Sequence, residues 1–179
     1  MPNTNKIKYG LRNCYYAVAT EGTGGALTYA TPVAMPGAVN LALSQEGETN
    51  PFYADDVIYF QSASNNGYSG TLELALVPDS FKTDVLGETD GVEYANVTPK
   101  EFALLFEFQG DQAATRHVLY RCTVSRPDIS GATKEAAIEP QTETLNISAL
   151  PRINDFAVKK RVAEGDSEYA SFFSAVVEP

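Results

Sequence analysis

The chain has 179 residues and a net charge of −10, and it is 44% hydrophobic and 20% charged, apolar enough for one packed domain and too apolar for intrinsic disorder. No apolar run approaches the ~18 residues that cross a bilayer, and Lys6 and Lys8 have no apolar stretch behind them, so neither a membrane segment nor a secretory signal is expected and assembly in the cytoplasm follows. Residues 13–115 hold fourteen acids against Lys82 and Lys100 alone, and no base falls between Arg12 and Lys82, which excludes a phosphate grip along that stretch.

Short alternating runs of Tyr, Phe, Val, Thr and Ile, separated by Gly, Pro, Asn and Asp, predict an all-β domain with many turns, a sandwich or barrel over residues 12–163. Asn13–Ala19 is the first predicted strand, followed by the glycine-rich loop Glu21–Gly25. Val39–Glu46 alternates, with Val39, Leu41 and Leu43 on a core face and Asn40, Ala42, Ser44 and Glu46 on the opposite one. Val57–Ala63 and Tyr68–Val77 flank Asn65-Asn66-Gly67, and Asn-Gly tolerates positive φ at both positions, so these runs predict a hairpin. In its second strand Leu72, Leu74 and Leu76 share the core face, and Thr71, Glu73 and Ala75 share the other.

Pro78–Gly87 predicts a short helix, with Asp79 as N-cap, Phe81 and Val85 one turn apart and Gly87 at C′. Phe102–Phe108, the turn Gly110-Asp111 and Thr115–Val124 predict a second hairpin. Beyond a loop over Ser125–Pro140, strands are expected at Thr142–Ala149 and Phe156–Val162. Tyr169, Phe172, Phe173 and Val176 fall at i, i+3, i+4 and i+7, the spacing of an amphipathic C-terminal helix over 166–177 that needs a surface to dock on. No repeat or linker divides the chain, so residues 1–179 form one domain.

Catalytic and metal-binding patterns are sparse. Cys14 and Cys122 both sit in apolar alternating segments and read as buried free thiols. His117 lies five residues from Cys122, an odd spacing that on a regular strand sends the two side chains to opposite faces and excludes a Cys/His nucleophilic pair. One histidine and two distant cysteines supply no transition-metal site, and Asp55-Asp56 reads as a solvated turn because it lacks the alternating oxygens of a calcium loop. Gly22-Thr23-Gly24-Gly25 lacks the Lys-Ser/Thr of a phosphate loop. The expectation is therefore a structural protein without enzymatic activity, metal or cofactor.

Several segments in one order resemble the major tail protein, or tail tube protein, of bacteriophages with long non-contractile tails. They are Lys8–Asn13, Ala34–Asn40, Phe52–Asp56 leading into Asn65–Gly70, Leu76–Asp79, Phe102–Phe108, Thr115–Pro127 and Ile138–Thr142, spread from about residue 6 to the C-terminus. The resemblance implies a β-sandwich with a flanking helix, subunits that close into hexameric rings, and rings that stack into a tube whose lining is an inter-subunit barrel. It also implies a place in the virion after assembly in the bacterial cytoplasm, tape measure and tail-end proteins as partners, and double-stranded DNA passing through without specific binding. The final aromatic segment, Tyr169–Phe173, has no Trp where the family pattern leads one to expect a bulkier residue.

The segment Glu46–Val57 is expected to project from the sandwich and order against a neighbour, because Pro51, Phe52, Tyr53 and Val57 cannot by themselves offset the ~1–2 kcal/mol per residue of ordering its backbone, with Gly47, Glu48, Pro51, Phe52, Tyr53, Asp55 and Asp56 as the inter-subunit loop. The polar strand faces bearing Asn40, Ser44, Glu46, Thr71 and Glu73 are expected to line a negatively charged lumen. The alternative from a different class is a carbohydrate-binding or adhesin-type sandwich, which wants exposed aromatics on one strand face.

Overall fold

The computed structural model describes residues 6–110, 113–133 and 140–179. Its strands are β1 (Lys8–Glu21), β2 (Leu27–Tyr29), β3 (Val33–Ala34), β4 (Ala38–Glu46), β5 (Thr49–Ala54), β6 (Val57–Ala63), β7 (Gly67–Leu74), β8 (Phe102–Gly110), β9 (Thr115–Val124), β10 (Glu143–Leu150) and β11 (Lys159–Ala163). One short helix, α1 (Asp79–Phe81), runs into a wider π-type turn over Lys82–Leu86, which Gly87 ends at a φ of 75°. The fold is all-β and antiparallel. The main sheet runs β2-β1-β8-β9-β10-β7-β4, with β11 also on β9 and β3 on β1, while β5 and β6 pair with each other.

The sheet curls until β4 lies against β1, and β9 gives the first half of its far edge to β11 and the second half to β10. The curl encloses the main core, in which Tyr16, Leu72, Leu74, Phe102, Leu104 and Leu145 are fully buried. Phe81 of α1 closes one end, edge-on to both Tyr16 and Phe102 with ring centroids 5.0 and 5.3 Å away. A second cluster covers the other face of the same strands and joins Ala17, Leu105, Val118 and Val162 to Phe172. Strand β8 is therefore buried on both faces, which is why Phe102–Phe106 reads as an unbroken apolar run rather than an alternation.

The C-terminal stretch docks on its own chain but is not the expected helix over 166–177. Its backbone makes successive three-residue turns, Tyr169 N–H to Asp166 O at 3.0 Å and Ser174 N–H to Ser171 O at 2.8 Å. Three cations set its path. Arg116 stacks its guanidinium 3.7 Å from the Tyr169 ring and donates to the Tyr169 carbonyl, Lys160 pairs with Glu168, and Arg152 pairs with Glu178 at 2.7 Å. Glu107, buried beneath, holds Arg116 at 2.7 Å and Arg12 at 2.5 Å. A helix this short gains too little from its own hydrogen bonds to override anchors at those spacings.

Other expectations shift for reasons of strand irregularity. The first strand begins at Lys8 rather than Asn13, since Gly10 and Asn13 occupy positive φ at two bulges that break its alternation against β8. Val39 is exposed, not core, because it is the extra residue where Ala38 opposes Leu74 and Asn40 opposes Glu73. Leu76 is also exposed, since β7 ends at Leu74 and the chain turns to bury Val77 instead. Asp79 is the first helical residue and Pro78 takes the cap position, so no side chain caps the helix. Glu21–Gly25 includes a 3₁₀ turn over Thr23–Gly25, and the last strand is Lys159–Ala163 rather than Phe156–Val162. The β8–β9 hairpin is present as expected, and Asp111 of its turn lies outside the described residues. Among the described residues no helix is long and apolar enough to cross a membrane.

Candidate functional site: an exposed β-arm and the face beside it

The largest departure from the sequence reading is the hairpin. Strands β6 and β7 do not pair across Asn65-Asn66-Gly67. Strand β4 continues into β5 and β6 continues into β7, so β4–β7 and β5–β6 form one long ribbon whose tip is Asp55-Asp56. Those two residues sit at φ of 50° and 59°, the doubly positive geometry of a two-residue type I′ hairpin turn, which aspartate tolerates. Asn65-Asn66-Gly67 is instead the irregular joint of the ribbon, where three residues, Ser64 to Asn66, oppose Gly47 and Glu48. The joint is held by Ser64 N–H to Glu48 O at 2.9 Å, Asn66 N–H to Glu46 O at 2.8 Å, and Gly67 N–H to the Asn65 side chain at 3.1 Å. Gly67 is required there, since at its φ of 105° a Cβ would lie 2.0 Å from the Ala149 carbonyl oxygen.

Beyond the joint the ribbon is an arm. Phe52 opposes Phe60, Tyr53 opposes Ile58, and Ala54 opposes Val57 around the tip. Phe52, Tyr53, Val57, Ile58, Tyr59 and Phe60 are each between 54% and 73% exposed, and every residue of β6 is exposed. The structure thus brings the predicted inter-subunit residues Gly47, Glu48, Pro51, Phe52, Tyr53, Asp55 and Asp56 into one projecting element, as a β-strand, joint and tip rather than a loop. The β6 part beyond Val57, Ile58 to Phe60, lies outside the segment that the sequence predicts to project. Its signal was an apolar run on both strand parities that no turn glycine separates from Phe52-Tyr53.

The other predicted set also falls together. Asn40, Ser44, Glu46, Thr71 and Glu73 all lie on the outward face of β4–β7, opposite the side that buries Leu72 and Leu74. Asn40 is the cross-strand partner of Glu73, and Ser44 of Ser69. Glu73 accepts from the Thr142 hydroxyl at 2.7 Å, and Glu46 accepts from the Ser69 hydroxyl. The polar band continues across Thr71–Asn146 and Ser69–Ser148 into β10, then through Ser148–Thr123 into β9.

At the root of the arm the curled sheet leaves a cavity of about 460 Å³ between β4 and the β8–β9 wall. Phe106, Phe108 and Tyr68 line it, His117 is stacked 5.3 Å from Phe106, and Lys8 and Lys159 lie 4.5 Å over the Phe108 and Tyr68 rings. Burial, then the charges of Lys159, Arg161 and Lys8, lower the His117 pKa to about 4.

His117 and Cys122 do not lie on opposite faces. Three residue steps on β9, from Leu119 to Cys122, oppose two on β8, from Leu104 to Phe102, and this bulge reverses the parity so that both side chains face the main core. Five residues of strand still separate them by roughly 16 Å. Burial raises both cysteine thiols to about 12, which keeps them protonated and inert as nucleophiles. Both thiols are free and buried. Among the described residues no group of three or more His, Cys, Asp or Glu side chains could hold a metal ion.

No family model, no curated protein and no solved structure matches the chain.

Proposed function

We propose that this chain is the self-assembling subunit of a tube, the tail tube of a phage with a long non-contractile tail. The observation that carries the reading is the arm. A lone two-stranded hairpin is marginal in water, and this one exposes six large apolar side chains. Burying each on a neighbour is favourable by ~1.5–3 kcal/mol, so another copy of the chain is the surface that makes such an arm sensible. The free edge of β4 is a further site for joining copies. Six-membered rings, their stacking, and contacts with tape measure and tail-end proteins rest on the sequence resemblance.

In that tube the outward face of β4–β7 lines the conduit. Its Asn40, Ser44, Glu46, Thr71 and Glu73 offer hydroxyls, an amide and carboxylates, and neither β4 nor β7 carries a base. Such a wall gives DNA phosphates no cation to pair with and repels them within a Debye length of ~8 Å.

Exposed tyrosines and phenylalanines would also suit a glycan-binding module. Sugar platforms need rings on one rigid face, whereas here apolar side chains occupy consecutive positions from Val57 to Phe60 of a thin ribbon and so point to both of its sides. Size-exclusion chromatography and negative-stain electron microscopy test the assignment. Rings or tubes are expected from the whole chain, and a folded monomer from a variant in which Glu48–Ser64 is replaced by a short turn. A whole chain that stays monomeric at high concentration, or an armless variant that still forms tubes, refutes the reading.

A further inference from the structure

We infer that the cavity at the root of the arm is the acceptor for the arm tip of a second copy, an inference that rests on the self-assembly reading above. The cavity and the tip are complementary in charge. Lys8 and Lys159 flank the cavity and Arg161, the cross-strand partner of His117, stands beside it; among the described residues no acidic side chain lines it. None of these three cations has a carboxylate partner among the described residues, in a chain with ten more negative than positive charges. The tip presents Asp55 and Asp56, and no base accompanies them anywhere in β4 to β7.

The two are also complementary in surface. Phe106, Phe108 and Tyr68 offer apolar walls to Tyr53, Val57 and Ile58, which the tip leaves exposed. All four residues Leu41 to Ser44 line the cavity, so β4 presents its unpaired edge there, and an incoming hairpin strand can add to it through the backbone. Docking moves the aspartates next to ammonium groups already held over aromatic rings, where partial desolvation strengthens the attraction.

The occupant cannot be the tip of the same chain. Eleven residues of extended strand separate Ser44, at the cavity, from Asp55, a span of roughly 36 Å directed away from it. Where the exchange of tips is not reciprocal, the contact is head-to-tail and repeats from copy to copy. Successive copies along the arm direction are then spaced by roughly the same 36 Å.

Three arms test the site, all on the whole chain. Ala54→Cys in one preparation and Lys159→Cys in another are mixed and oxidised; Cys14 and Cys122 are buried and do not interfere. An intermolecular disulfide between the two variants is expected. Lys8→Glu with Lys159→Glu, both at exposed positions, removes two cation–π contacts and should lower the melting temperature by less than about 8 °C while raising the concentration needed for assembly by about tenfold or more. Asp55→Asn with Asp56→Asn, which keeps the positive-φ turn, should shift it in the same direction. If the native chain assembles, but the charge-reversed variant does so at the native concentration and the tip cross-links elsewhere, the acceptor is refuted and self-assembly stands. A native chain that never assembles overturns the self-assembly reading and this inference with it.

Discussion

Replacing Phe52 and Phe60 together with serine separates what the arm does for the folded chain from what it does for the proposed self-assembly. The two rings oppose each other across β5–β6 and are 61% and 63% exposed, so the free chain loses little more than a cross-strand pair, ~0.2–1 kcal/mol. For a domain of this size that lowers the melting temperature by less than about 4 °C. In the assembled state each ring has about three fifths of its surface left to bury, worth ~1–2 kcal/mol against ~1.5–3 kcal/mol for complete burial. The pair therefore costs about 2–4 kcal/mol per inter-subunit contact, roughly a 30- to 1000-fold weaker association. Sedimentation velocity across a concentration series, with electron microscopy of the pellet, measures the shift, and differential scanning calorimetry of the unassembled fraction measures the cost to folding. Assembly at the native concentration would refute the argument. So would a drop of more than about 10 °C in the free chain, which would mean that the rings are core rather than contact.

Three further outcomes follow from the same geometry. Phe172→Ala empties a fully buried site in the second cluster and should cost ~3–5 kcal/mol, lowering the melting temperature of unassembled protein by roughly 6–20 °C; an unchanged melt with lost assembly would move the C-terminal stretch to an interface. The His117 pKa is lowered from 6.5 to about 4, so below 6.5 the unfolded chain takes up a proton that the folded chain refuses. Stability present above pH 6.5 should decline as the pH falls towards 4, and His117→Gln should flatten that limb of a melting-temperature profile; a native profile flat between pH 6.5 and 4.5 would contradict it. On the proposed tail-tube function, phage carrying Glu46→Lys and Glu73→Lys should build tails of normal length and eject DNA slowly, while normal ejection, or a tube map with both residues on the outer wall, would end the lumen assignment.

Local signals carried much of this fold. The β8–β9 hairpin, strand β10 and the α1 turn ended by Gly87 were legible because alternation and a positive-φ glycine act over a few residues. The common face of Asn40, Ser44, Thr71 and Glu73 was legible too, since alternation survives over those parts of β4 and β7. The arm was half legible: Phe52 to Asp56 stood out, but two turn signals, Asp55-Asp56 and Asn65-Asn66-Gly67, competed for one hairpin. The competition was resolved outside the segment, by β7 pairing with β10 on one side and β4 on the other, which leaves β6 no partner but β5. Bulges defeated the face assignments of Val39 and His117 because side chains alternate with a period of two, so one inserted residue sends everything beyond it to the other face. The C-terminal stretch had a helical pattern, yet Arg116, 53 residues before Tyr169, together with Lys160 and Arg152 of the segment just ahead, fixes its turns. The cavity at the arm root exists because the sheet curls without closing between β4 and the β8–β9 wall, a property of long-range strand order that no local run of residues encodes.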